Sequence, residues 1–396
     1  MILLNKKCRI GAFCGIDKRY VDETHIKEVA DAGIDFVFVE SGFSREQIQF
    51  IGECCDKYNI DFLITDDKLY GPMGKYSESK EITSHYNGFK GFMGNFINDE
   101  PNAEQYDYLS KAIDAYKKSM PDKMAVINLL PMYGPEGCLK ADSYEDYVNQ
   151  YVEKINTPFI AVDVYPCGWL GPKKVTYEKY CRNLDIVATA ARKSDREFWG
   201  FLQATSWLPG VRIPDETDLR WQAYAHLAFG ASTIMYFTYI CPAPNETETF
   251  KHGFIDVYGN KTSTYYYGKA VNREVRKVMK VIESYQYDGS FNLNYSDKVP
   301  YLQFDNCCEK PAFVKEIQSN EPVLAGVFSK ESSNALIIVN MSELEDEKNA
   351  EISLSLEKDS LVKTYGANTE HSFKVKAGEE LKLTLDCGCG ILITAE

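Results

Sequence analysis

The chain has 396 residues, 44% hydrophobic and 26% charged, with a mean hydropathy of −0.34, which suits one large globular domain plus a small one. A net charge of −14 and a pI near 5.0 lack the basic footprint that nucleic acid or an anionic membrane demands, so neither is expected as a partner. Twelve cysteines in so long a chain do not call for a disulfide framework. The first residues lack the charged-then-apolar order of a signal peptide and no apolar run approaches a membrane span, so the expectation is a cytoplasmic protein with reduced thiols.

Strand-like and helix-like runs alternate from the start. Residues 9–14 read as a first strand ending near Asp17, and 24–32 have helical spacing through Ile26 and Val29 that stops at Gly33. Residues 35–40 form a buried second strand, and Ser44 caps a helix to about Tyr58. A third strand over 61–66 precedes a Gly- and Lys-rich stretch, 68–88, of weak helical character.

The fourth strand climbs through Phe92, Met93, Phe96 and Ile97 and stops at Asp99 and Glu100. Pro101 cannot donate to a sheet ladder, and Asn102 is a good N-cap for a helix beginning at Ala103. Strands five to eight are expected over 123–130, 159–165, 197–204 and 232–239. Helices capped by Ser143, over 177–191 and over 215–229 lie between them. A long loop, 241–268, leads to a last helix near 272–285.

Eight such units match a (β/α)8 TIM barrel over residues 1–288. No Gly-x-Gly-x-x-Gly or Gly-x4-Gly-Lys motif supports a nucleotide, and the cysteine spacings do not match zinc. No cofactor or metal is expected. From 289 to 396, short β-rich runs at 300–304, 323–328, 335–339, 351–356, 373–375, 381–385 and 390–394 predict a small antiparallel β-sandwich. Oligomeric state is left open.

In a barrel, the carboxyl ends of the strands form one rim, and chemistry sits there. The rim residues are Asp17, Glu40, Asp66, Asp99, Glu100, Asn128, Asp163, Tyr165, Gln203, Trp207, Tyr236 and Tyr239. No Ser-His or Cys-His pairing suggests a nucleophilic mechanism. Carboxylates with amides and aromatics are what glycoside hydrolysis uses, which makes a carbohydrate the expected substrate. Glu100 and Asp163 are the catalytic candidates. Asp99, Asn128, Tyr165, Trp169, Gln203, Trp207, Tyr236 and Tyr239 are candidates for holding the sugar. Each acid has a plainer reading: Glu100 as a charge favoured near a helix start, Asp163 as a residue that fixes a neighbour. Trp169 and Trp207 lie in loops after strands, where sugar stacking competes with core packing. His226 reads as a structural histidine, and Arg220 as one half of a buried ion pair.

Four stretches together resemble a glycoside hydrolase barrel: Asn98-Asp-Glu-Pro-Asn102, Ile127-Asn-Leu-Leu-Pro131, Asp163-Val-Tyr-Pro166, and Leu219-Arg-Trp-Gln222 running on to Tyr236-Phe-Thr-Tyr239. The chain is similar over roughly residues 8–285 to clan-A-type enzymes, particularly bacterial family 42 β-galactosidase-like proteins. The resemblance implies an acid/base Glu at the end of strand four, commonly after Asn and before Pro. Glu100 matches, with Asp99 in place of the Asn. It also implies a nucleophilic Glu at the end of strand seven, where this chain reads Phe201-Leu-Gln-Ala-Thr-Ser206. Gln203 cannot serve as a carboxylate. Three readings follow. Asp163 supplies the second carboxylate, at ~5 Å from Glu100 as nucleophile or ~6.5–9.5 Å as base. Alternatively, Asp99 and Glu100 act as the acid pair of a substrate-assisted hexosaminidase. Or the site binds sugar without turnover.

Overall fold

The computed structural model describes residues 7–135, 137–331, 333–366 and 370–396. Residues 1–6, on which the reading of the N-terminus as no signal peptide rests, lie outside these. Eight parallel strands close a barrel: β1 (Arg9–Ile16), β2 (Phe36–Val39), β3 (Asp61–Ile64), β4 (Phe92–Asp99), β5 (Met124–Leu129), β6 (Phe159–Asp163), β7 (Glu197–Gln203) and β8 (Ala231–Phe237). Each pairs with the next, and β8 returns to β1 with Arg9 opposite Thr233. The TIM barrel expected from the alternation is therefore present.

Helices α1 (Glu23–Asp31), α2 (Arg45–Tyr58), the single turn α3 (Ser79–Ile82), α4 (Tyr106–Ser119), α5 (Tyr144–Lys154), α6 (Tyr180–Lys193), α7 (Glu216–Ala228) and α8 (Ser263–Ile282) surround it. Their starts follow from side-chain caps. Ser44 and Gln47 close a reciprocal capping box on α2, and Asp215 does the same with Asp218 on α7. Asn102 and Gln105 cap a 3-10 turn, Ala103–Gln105, that leads into α4.

The barrel interior is aromatic. Phe36, Phe38, Phe96, Phe159, Trp199 and Phe201 interlock with Leu63, Val126 and Met235, and Phe159 stacks on Trp199 with centroids 4.0 Å apart. Gly94 makes room for this at the β4–β5 seam. A Cβ there would lie 2.0 Å from the Met124 carbonyl oxygen, and its φ of +149° suits only glycine.

The last helix differs from expectation. It begins at Ser263, because the Thr262 side chain accepts from the Thr264 N–H and Gly268 lets the first turns close on Phe254. The run Ser-Thr-Tyr-Tyr-Tyr-Gly has weak helix propensity, so tertiary packing decides it.

Beyond α8 come a six-stranded and a three-stranded antiparallel sheet. The first has the order β9-β11-β12-β17-β14-β15, built from Gln286–Leu293, Val323–Lys330, Ser333–Asn340, Gly390–Ala395, Ser360–Tyr365 and Glu370–Val375. The second is β10-β13-β16, from Val314–Ser319, Ala350–Leu356 and Leu381–Leu385. They share an apolar layer that includes Val314, Ile352, Leu354, Leu336, Ile338 and Ile393, an arrangement consistent with a β-sandwich. The run at 300–304 is not a strand. Pro300 opens a 3-10 turn, Pro300–Leu302, for which its fixed φ is suited. Strands β9, β10 and β14 were not anticipated, because their polar, half-exposed sequences carry little apolar alternation.

Candidate active site

The carboxyl end of β4 carries a bulge. Phe96 pairs with Val126, but the next partner of Ile127 is Asn98, so one extra residue is accommodated at Ile97. Strand side chains alternate faces, and one inserted residue reverses the alternation beyond it. Asn98 turns outward, donating to the Tyr108 hydroxyl of α4 at 3.1 Å. Asp99, opposite Asn128 of β5, turns onto the rim. Glu100 follows at a φ of +46°, held by its N–H to the Asn128 carbonyl at 2.9 Å. A non-glycine residue there is strained by order of 1 kcal/mol, and such positions cluster at functional sites.

Three carboxyl groups meet at this corner. The Asn128 amide donates to Asp99 Oδ1 and to Asp163 Oδ1, both at 3.1 Å. The Glu100 and Asp163 carboxyls lie close enough to perturb each other, the contact lowering Glu100 and raising Asp163. Burial, then repulsion from Glu100 and Asp99, holds the Asp163 carboxyl well above the usual range, against the Asn128 hydrogen bond. Burial also raises Glu100, offset by the contact with Asp163. Asp99 is pushed up to about 7, first by desolvation and then by the Glu100 charge. Asp99 and Glu100 open onto a cleft, yet protein crowds them on the other sides, which accounts for desolvation at residues that water can reach.

The cleft measures ≈ 520 Å³. Beside the three acids and Asn128 it is lined by Phe13, Tyr133, Tyr165, Phe201, Trp207, Phe237 and Glu248. Tyr165 and Trp207 meet edge to face at 5.2 Å, and Tyr165 lies 5.3 Å from Phe237, so one wall is an aromatic corner. Of the residues picked from sequence, Asp99, Glu100, Asn128, Asp163, Tyr165 and Trp207 come together here. Trp169 stands apart, on a hairpin formed by Cys167–Leu170 and Lys173–Thr176, and lines an adjoining groove that shares Trp207.

Three more do not reach the cleft. Gln203 is fully buried; its amide nitrogen donates to the carbonyls of Arg212, Thr205 and Cys167, and its oxygen accepts from the Cys167 N–H at 2.8 Å. It knits the loops after β6 and β7 together. Tyr236 points outward to Asn272 of α8 at 2.7 Å, and Tyr239 packs on Phe254. The other rim acids are engaged elsewhere: Asp17 with Arg19, Glu40 with the Cys14 thiol, Asp66 with the Tyr86 hydroxyl. Arg220 forms a partly buried ion pair with Glu274 at 3.0 Å and a second pair with Glu216 at the surface. His226 is buried and held neutral, its pKa lowered to about 4 by desolvation.

Sequence reading missed Tyr133, Phe13, Phe237 and Glu248. Tyr133 follows Pro131 at the end of β5 and accepts from the Tyr165 N–H at 3.0 Å; its place two residues past a strand-ending proline was the available signal. Glu248 lies in the long loop after β8, and nothing local marks it.

Residues 101–278 match the model of a glycoside hydrolase family, family 42, described as β-galactosidase. Among solved structures, a family 39 glycoside hydrolase from Bacteroides cellulosilyticus aligns at a TM-score of 0.56 and 9% identity, over 100% of this chain and 82% of that one. A protein described as a glycoside hydrolase aligns at 0.60 and 10%, over 98% and 92%. A family 5 glycoside hydrolase from Bacteroides vulgatus aligns at 0.53 and 11%, over 98% and 89%. At such identities the structural likeness speaks for the fold. No curated protein matches the chain. The closed barrel fits a clan-A-type (β/α)8 glycoside hydrolase, and the family match, over somewhat less than half of the chain, supports an enzyme of O-glycosyl bonds. Within that class it is similar, through residues 101–278, to the family 42 β-galactosidases.

Proposed function

We propose that the cleft hydrolyses a terminal glycosidic bond of a small oligosaccharide or glycoside, with Glu100 as general acid/base. The cluster of Asp99, Glu100 and Asp163 in one cleft, with the Asn128 amide bridging Asp99 and Asp163 and with Glu100 and Asp163 perturbing each other, carries this reading. Two carboxyls in contact titrate as a unit and retain one proton to higher pH than either would alone. Glu100, the member open to the cleft, passes that proton to the leaving oxygen as the bond to the anomeric carbon breaks. Its carboxylate then takes a proton from the attacking water. Asp163, buried and with its carboxyl held well above the usual range, serves as the proton partner of Glu100 and the second carboxyl of the pair.

A substrate-assisted second reading is favoured by one observation: Asp99 lies beside Glu100 in the cleft while Gln203 is buried away from it. In that mechanism an acetamido group on the sugar attacks the anomeric carbon and Asp99 orients it. Eleven free thiols, Cys14 to Cys389, fit a reducing compartment, and we place the enzyme in the cytoplasm.

The test is turnover of a panel of α- and β-glycosides with good (dinitrophenyl) and poor (methyl or sugar) leaving groups. Glu100→Gln should lower kcat by about 10²–10⁴-fold on the poor leaving groups and far less on the good ones, because only the former need the proton. An equal loss on both, or binding of sugars by the wild type without turnover of any, would overturn the assignment.

A further inference from the structure

We infer that the cleft is built for a glycoside carrying a cationic amine, a deacetylated amino sugar, rather than for a neutral or acidic one. The inference rests on the glycosidase reading above and narrows its substrate. Among the described residues, four carboxyl side chains line the cleft (Asp99, Glu100, Asp163 and Glu248), and no Lys, Arg or His does. An acid pair for catalysis needs two of these. The other two, Asp99 and Glu248, exceed what catalysis needs. Among the described residues the Glu248 carboxylate accepts only from the Asn245 amide, at 3.0 Å. Asp99, whose crowded setting favours its neutral form, is held ionised when a cation arrives beside it.

A second observation points the same way. The Asn128 amide is 4% exposed and lines the cleft, and its nitrogen is committed to two carboxylates, which fixes its orientation. The oxygen is left as a buried acceptor with no hydrogen-bond partner. A buried acceptor without a donor costs about 1–3 kcal/mol, so the site is complete only when a donor arrives. An ammonium brings three donors and a charge, and meets both needs at once.

The remaining wall is also suited to a cation. Tyr165 and Trp207, 5.2 Å apart and at 71°, form a corner with Phe237, and aromatic faces attract an ammonium within ≈ 6 Å. The acids themselves do not converge as a metal-binding group among the described residues, which leaves an organic cation. A uronic acid would bring a carboxylate into a cleft that offers it no counter-charge.

The experiment compares matched glycosides differing at one group: hydroxyl, free amine (2-amino and 6-amino), 2-acetamido and uronate, in both anomers. Isothermal titration with glucosamine, galactosamine, glucose, galactose and glucuronate runs beside it. The expected result is kcat/KM at least tenfold higher for an amine than for its hydroxyl counterpart, with the amino sugars also the tighter ligands. In Asp99→Asn the amine-to-hydroxyl ratio should fall toward one, whatever happens to the absolute rate. Turnover of neutral glycosides with no amine preference would overturn this inference and leave the hydrolase standing. An acetamido preference would also overturn it, in favour of substrate assistance. If nothing is turned over, the hydrolase reading fails, and the titrations still decide the ligand: tighter amine binding supports the inference, equal or weaker binding rejects it.

Discussion

Asp99 is the residue whose ionisation the fold disturbs in the most measurable way. Its carboxyl titrates near 3.8 when unperturbed and at about 7 in the folded chain. A folded-state value above the unfolded one means that the native protein binds the proton more tightly. The stability so gained is complete below pH 4 and is lost as pH rises to about 7. Asp99→Asn, which keeps the shape and removes the charge, should melt like the wild type at pH 4. It should then gain on it steadily to pH 7 and hold that gain above. Because water reaches Asp99, screening keeps the effect small, on the order of 1–2 °C in Tm. Melting curves across pH 4–8 check this, and an advantage that shrinks with rising pH would contradict the assigned cause.

At the scale of elements, the site depends on how strand ends are held. The bulge at Ile97 decides which side chain of Asn98-Asp-Glu100 meets the cleft, and residue types alone could not say so. The seven-strand loop is pinned by Gln203 from beneath and by a buried ion pair, Arg212 with Asp218, from the side. Asp218 also completes the capping box of α7 through the Asp215 N–H at 2.9 Å. Removing one member of a buried pair leaves the other charged and unpaired, at a cost of about 3–5 kcal/mol. Asp218→Ala should therefore lose about that much in chemical denaturation. It should also lower activity, since the loop that carries Trp207 begins beside it. A loss below 1 kcal/mol would mean that Arg212 finds water or another acid.

At the scale of the molecule, the six-stranded sheet is covered on both faces. One face packs on the three-stranded sheet. The other, through Leu324, Phe328, Ile337, Val339 and Leu392, joins the barrel's apolar core. Gly326 permits that junction, since a Cβ there would sit 2.1 Å from the Ala228 carbonyl oxygen at the end of α7. Gly326→Val forces backbone apart and should cost about 1–3 kcal/mol. If the shared core couples the two parts, wild-type calorimetry shows one transition and the variant splits or lowers it. A variant that melts unchanged would mean the sheet does not bear on α7 in solution.

The barrel was legible in the sequence because its signals are local: apolar runs of strand length, Pro and Gly at their ends, caps before the helices. So was the acid pair, because Pro101 marks where β4 stops. What lay beyond reach was set by contacts between residues far apart in the chain. The bulge depends on the register of β5, Gln203 is drawn away by loop carbonyls of residues 167, 205 and 212, and Tyr236 is claimed by Asn272. The sequence by itself determined that Asp99 and Glu100 stand at the end of a barrel strand. Only the tertiary structure decided that Asp99 faces the cleft, that Glu100 lies close to Asp163, and that Asn128 spans the acids. Facing and closeness are properties of packed neighbours, and spacing along one strand does not carry them.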